Sequence, residues 1–174
     1  MKTIKRIIIV CVLLVVVVWA LSLITGCSII IPVTKPEPFK TFEFKKGDIV
    51  NPLKSFDFDK GNWVAYLVIS RNDFENLHLA IKKAKCLKIK DVKLLKQMQD
   101  KWYFVYTGGD VATVESAIYF FNDGKLVFKS GITLDKESIG LQNRSYGWLD
   151  PKDSEAIIES CKSFKKVYLP ILFL

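Results

Sequence analysis

Residues 117–130 read Ala117-Ile-Tyr-Phe-Phe-Asn-Asp-Gly-Lys-Leu-Val-Phe-Lys-Ser130, and this stretch decides the fold. Two β-branched and aromatic runs, Ala117–Phe121 and Leu126–Ser130, flank Asn122-Asp123-Gly124. Such runs suit the pleated, half-buried surface of a strand. Asp-Gly tolerates the positive φ angles of a type I′ turn, so the stretch predicts an antiparallel hairpin.

Strands accumulate outward from that hairpin. Upstream, Trp102–Thr107 (WYFVYT) is a third run of the same kind, closed by Gly108-Gly109-Asp110, which reads as a turn or loop. Two glycines without a following helix are a weak anion cradle. Trp63–Ser70 (WVAYLVIS) is apolar on both faces, as a central strand is. Before it lies a repeat: Lys40–Val50 aligns without gaps on Lys54–Val64. Phe42 and Phe44, and likewise Phe56 and Phe58, are placed to share one face of a short strand, with turns at Gly47 and Gly61. Asp57-x-Asp59-x-Gly61 lacks the third acid and distal Glu of a calcium loop, so it reads as a solvated strand face.

Helices fill the gaps. Asn72-x-x-Glu75 resembles a capping box, and Phe74, Leu77, Ile81 and Ala84 recur at helical spacing. Asp150-Pro151 is expected to open a second helix through about Phe164, with proline in the first turn. Gly140–Trp148 is read as a rim loop. Its Asn143-Arg144-Ser145 sequon matters only in a eukaryotic host. Val167–Leu174 is read as a closing strand in which Pro170 demands an edge or bulge. The expected class is α+β: an antiparallel sheet of about six to eight strands with two or three helices, the alternative being a β-sandwich with helical insertions.

Charge is concentrated in one place. Lys82, Lys83, Lys85, Lys88, Lys90, Lys93, Lys96 and Lys101 face only Asp91 and Asp100, a local net of +6. One reading is an anion-facing patch for lipid headgroups, cell-wall polymer or an acidic protein. The other is a solvated helical face with Leu87, Val92, Leu95 and Met98 behind it. Nucleic acid is disfavoured, because the patch has no aromatic or arginine to stack on or read bases.

The N-terminus carries Lys2, Lys5 and Arg6, an apolar run from Ile7 to Ile24, and then Thr25-Gly26-Cys27. This is the order of an export signal. An uncleaved transmembrane helix is the competing reading, since about 18 apolar residues reach the lower limit for a span. Ile24-Thr25-Gly26-Cys27 resembles the lipobox of bacterial lipoprotein precursors. The resemblance implies cleavage before Cys27 and diacylglycerol on its sulfur. It also implies that Ser28, not being Asp, favours the outer membrane in a Gram-negative host. Residues 1–26 are then a signal peptide, 27–39 a lipidated cysteine with a proline-rich tether, and 40–174 one globular domain. Without residues 1–26, 23 Lys and Arg face 18 Asp and Glu, a net of +5.

In an oxidising compartment the remaining pair, Cys86 and Cys161, is expected to form a disulfide. His78 is the sole histidine and has no companion to complete a triad or a metal site. With no catalytic, phosphate-binding or metal-binding motif, the expected role is non-enzymatic, with no metal or small-molecule cofactor. The chain is read as an envelope lipoprotein facing the periplasm and binding a protein. Immunity against a secreted antibacterial toxin, or a structural role on anionic lipid or peptidoglycan, are the alternatives.

Overall fold

The computed structural model describes residues 2–25, 29–31, 33, 44–109, 114–143, 145–169 and 171–174. In chain order these form α1 (Lys2–Thr25), β1 (Ile29–Ile31), β2 (Ile49–Val50), β3 (Trp63–Val68), β4 (Cys86–Ile89), α2 (Val92–Lys101), β5 (Phe104–Tyr106) and β6 (Ala117–Asn122). They continue with β7 (Lys125–Leu134), β8 (Ile139–Asn143), β9 (Gly147–Pro151), α3 (Ser154–Lys162), β10 (Lys165–Lys166) and β11 (Ile171–Phe173).

The deciding hairpin forms as expected: Asp123 and Gly124 adopt φ of 49° and 76°, the two positive angles of its turn, between β6 and β7. Around it grows one nine-stranded antiparallel sheet, ordered β10-β4-β3-β6-β7-β8-β9-β5-β2. β1 and β11 make a separate parallel pair. The class is α+β with a single large sheet, so the sandwich alternative does not hold.

Strand alternation gives the sheet two unlike faces. Ala65 and Leu67 of β3, Leu87 and Ile89 of β4, and Ile118 and Phe120 of β6 point to one side. There they meet Leu95 and Met98 of α2 and Ile157, Ile158 and Cys161 of α3. α2 is capped by Asp91, whose side chain accepts from Lys93 and Leu94 N–H, and α3 by Asp153 through Ala156 N–H. Trp102, Phe58, Phe104, Phe120 and Phe164 are fully enclosed in this core. Phe56 stacks on Trp63 at 5.2 Å while Phe58 meets the same ring edge-on at 4.8 Å. On the opposite side Val68, Cys86 and Phe121 pack under Leu172 and Leu174 from the β11 end.

Several expectations are corrected. Asn72–Phe74 is a single 3-10 turn and no helix follows it. Leu77, Ile81 and Ala84 are still buried, but the segment makes only turn-type bonds of its own, such as Ile81 N–H to His78 O, and its others leave it: His78 N–H goes to Leu134 O and Asn76 O receives Lys136 N–H. Apolar spacing reported burial there without intrahelical bonding. The lysine stretch is a strand followed by a helix, and Val92 is exposed. Of the stretch read as a rim loop, Gly140–Asn143 lies in β8 and Gly147–Trp148 in β9, which pair with each other. The glycine at 140 serves packing, since a Cβ there would fall 2.2 Å from the Trp148 ring. Asp150 and Pro151 end β9, where Pro151 lies opposite Phe104. Phe56 and Phe58 sit in turns beside Trp63, whose indole N–H donates to Asp57 and Lys60 carbonyls. Phe42 lies outside the described residues, as does Pro170. Ile29–Ile31, inside the stretch read as a tether, is a strand.

Candidate functional site

The outer side of the sheet, away from α2 and α3, carries the most organised group of charged side chains. Register places Lys165 of β10 opposite Lys88 of β4, and Lys88 opposite Tyr66 of β3. Tyr66 in turn faces Tyr119 of β6, and Tyr119 faces Lys129 of β7. One cross-strand row therefore reads Lys-Lys-Tyr-Tyr-Lys over five strands and contains no acid. Adjacent same-face residues on antiparallel strands interact directly, so the row behaves as a unit.

Its internal geometry is consistent with that reading. Lys88 Nζ lies 5.2 Å from the centroid of the Tyr66 ring and Lys129 Nζ 5.1 Å from that of Tyr119. Each contact is worth about 0.5–1 kcal/mol at such partly exposed positions. The rings thereby hold the two ammonium groups on the face. Burial, aided by Cys86 and opposed by Lys90, pushes the Tyr66 phenol above its usual range, so it stays neutral. Two tyrosine hydroxyls between three cations can bind carboxylate, phosphate or sulfate groups by charge and hydrogen bonding.

The eight lysines singled out in sequence do not form one patch, and Lys101 lines a concavity between α2 and α3. Lys88 belongs to the row and Lys90 acts on its Tyr66. Lys82 donates to the carbonyls of Lys162 and Phe164 at 2.7 and 2.6 Å, closing the C-terminal end of α3. Lys96 pairs with Asp59 at 2.6 Å across an exposed gap. Lys85 lies within the electrostatic reach of Glu115. Lys83 and Lys93 are exposed, the first in a loop and the second in the first turn of α2. Lys129 and Lys165 escaped sequence reasoning because they lie about 40 and 77 residues beyond Lys88. The available signal was the alternation of Tyr66 with Leu67 and of Tyr119 with Phe120 in otherwise apolar strands.

A second polar constellation sits where β3 ends and β6 begins. Ser70 Oγ donates to Glu115 Oε2 at 2.5 Å, Asn72 Nδ2 donates to the same oxygen at 2.9 Å, and Ser116 Oγ donates to Asp73 Oδ2. Those hydrogen bonds from Ser70 and Asn72 hold the Glu115 carboxyl below its usual range. So acidic a carboxyl is a weak general base. His78 makes its contacts elsewhere, accepting at Nδ1 from Ala80 N–H. The constellation pins residues 70–74 to β6.

The expected Cys86–Cys161 disulfide is not formed. Both are free thiols, buried on opposite faces of the sheet, Cys161 against the helices and Cys86 under β11. Burial pushes each thiol up to about 12, so neither supplies thiolate at neutral pH. Among the described residues, no group of three or more His, Cys, Asp and Glu is placed to hold a metal ion. Between α2 and α3 an open concavity of about 470 Å³ is walled by Asp100, Lys101, Lys152 and Glu159, charges of both signs.

Cys27 lies outside the described residues, and only Ile24 and Thr25 of the lipobox-like tetrad are within them. The helix preceding it is long and apolar enough to cross a membrane over Thr3–Ser22, with a mean hydropathy of 2.8 and none of its most apolar window buried. It is consistent with a signal sequence and points to secretion or membrane targeting. No protein-family model matches this chain, and neither a curated protein nor a solved structure does.

Proposed function

We propose that this chain is a membrane-anchored, non-enzymatic module of a bacterial cell envelope that binds an acidic protein partner through its lysine–tyrosine row. The observation that carries the reading is the acid-free sequence Lys165, Lys88, Tyr66, Tyr119, Lys129 across one sheet face. A solvated surface usually intersperses both signs of charge, whereas an aligned run of one sign over aromatic rings suits a complementary negative surface. Tyrosine offers contact area at low entropic cost, as binding surfaces favour. Anchorage is supported by the apolar helix Thr3–Ser22 and, by resemblance to lipoprotein precursors, by lipid on Cys27 facing the periplasm.

Two measurements test it. Cross-linking in intact envelopes should join the wild-type chain to a partner, and the triple variant Lys88→Glu, Lys129→Glu, Lys165→Glu should lose at least ten-fold of that product. The loss should be reproduced by raising salt, since exposed charges are screened. Unchanged cross-linking by a folded triple variant would sink the partner assignment. For the anchor, the intact mass of membrane-extracted protein should correspond to a chain beginning at an acylated Cys27. A mature N-terminus elsewhere would remove the lipoprotein reading.

A further inference from the structure

We infer that the β1–β11 pair is a membrane-resting surface, seated on the same bilayer that receives the anchor. The inference rests on the anchored reading above but concerns a different part of the molecule. In this pair Ile30 and Leu172 face the sheet, while Ile31, Ile171 and Phe173 face outward with 38%, 42% and 63% of their surface exposed. Val33 and Leu169 extend the strip at either end and are likewise exposed. Contiguous exposed apolar side chains of this kind mark an interaction site.

Chain continuity identifies the occupant. α1 ends at Thr25 and β1 begins at Ile29, so four Cα–Cα steps separate them, about 14 Å at full extension. If the chain is cut and lipidated at Cys27, only two steps, about 7 Å, separate the lipid-bearing residue from Ile29. Either way the strip cannot leave the neighbourhood of the membrane. The side chains at its margin are those that favour the water–lipid boundary. Tyr168 is exposed beside Leu169, an aromatic with a polar tip, and Lys165 and Lys166 precede it, both exposed. Their charges complement anionic headgroups. An apolar strip flanked on its side of the sheet by Lys165 and Tyr168, held within one short span of the anchor, fits the bilayer interface.

The test uses the full chain reconstituted into phosphatidylethanolamine–phosphatidylglycerol vesicles containing a phospholipid with a photoactivatable diazirine near its headgroup. After irradiation, tryptic peptides are mapped for lipid adducts. The 167–174 peptide should be labelled at least five-fold more than the peptide containing Ile49, which is exposed at the far sheet edge. The pair Ile171→Glu and Phe173→Glu should abolish that excess while leaving vesicle retention under alkaline wash unchanged. Retained chain without adducts on 167–174, or with equal labelling at Ile49, would overturn the inference and leave anchorage standing. Release by alkaline wash would refute anchorage: with adducts on 167–174 it would still support surface docking, and without them both readings fall.

Discussion

The two faces of the large sheet are built from the same strands and have opposite characters. On β3, Ala65 and Leu67 enter a sealed core under α2 and α3, whereas Tyr66 and Val68 look the other way. Val68 is covered by the β11 end, but Tyr66 remains half-buried beside Lys88. The helix-side face is closed by side chains from every layer, while the outer face is closed over only part of its width. Stability is thus concentrated on one side, which leaves the other free to carry lysines and tyrosines without weakening the fold.

The sharpest way to break the comparison is to hollow the sealed side. Phe120→Ala removes a fully buried ring contacting Phe56, Phe58, Trp102 and Phe128, and is expected to cost about 3–5 kcal/mol in urea unfolding. That reaches only the lower end of a typical domain's whole stability of about 5–15 kcal/mol, but is a large share of it. Leu172→Ala on the outer face should cost less, roughly 2 kcal/mol, because its short strand can collapse onto the gap. If the two losses were equal, the outer cover would be as much a part of the core as the helices are.

A finer test concerns charge. Burial, and then the nearby Asp73, hold the Asp135 carboxyl above its usual range. A raised carboxyl means that the charged form is disfavoured on folding. The penalty is present above the folded-state value and is relieved as pH falls through the ordinary carboxylate range. Asp135→Asn should therefore stabilise the protein at pH 7 by at most about 0.5 kcal/mol, given solvent screening. The gain should vanish near pH 3, as a pH series of thermal melts will show. Smallest of all should be the effect of reductant. With Cys86 and Cys161 on opposite faces, dithiothreitol should leave the melting temperature unchanged, and both thiols should alkylate only after unfolding. A reductant-sensitive melt would contradict the two-faced arrangement directly.

What could be read in the chain depended on whether the signal was local. The Asn122-Asp123-Gly124 turn needs two positive φ angles in adjacent residues, and the chain advertises that chemistry at the site itself. Trp63–Val68 is legible as a central strand because both of its faces are apolar. The stretch 72–84 misled because helical spacing and loop burial give the same pattern, and only the bonds to Leu134 and Lys136 distinguish them. Gly140 resembled a loop breaker when its missing Cβ in fact admits Trp148. The lysine–tyrosine row was invisible for a different reason. Its five members span Tyr66 to Lys165, and only strand order and register bring them together. A run of lysines drew attention to Lys82 and Lys96, yet these close a helix end and an ion pair.

The parallel pairing of β1 with β11 also sets how the molecule responds to tension. β1 is the first strand after the apolar N-terminal helix, and it is bonded to the last strand of the described chain, Ile29 opposite Ile171 and Ile31 opposite Phe173. Because both strands run the same way, the anchor side of β1 and the β10 side of β11 lie at the same end. A pull along the anchor loads that end first and opens the inter-strand bonds one after another, as a zipper parts. Shear across all of them at once would need far more force. The nine-stranded sheet lies behind this junction and is spared until the junction has parted. The three-residue pair is a mechanical fuse between the N-terminal segment and the folded sheet.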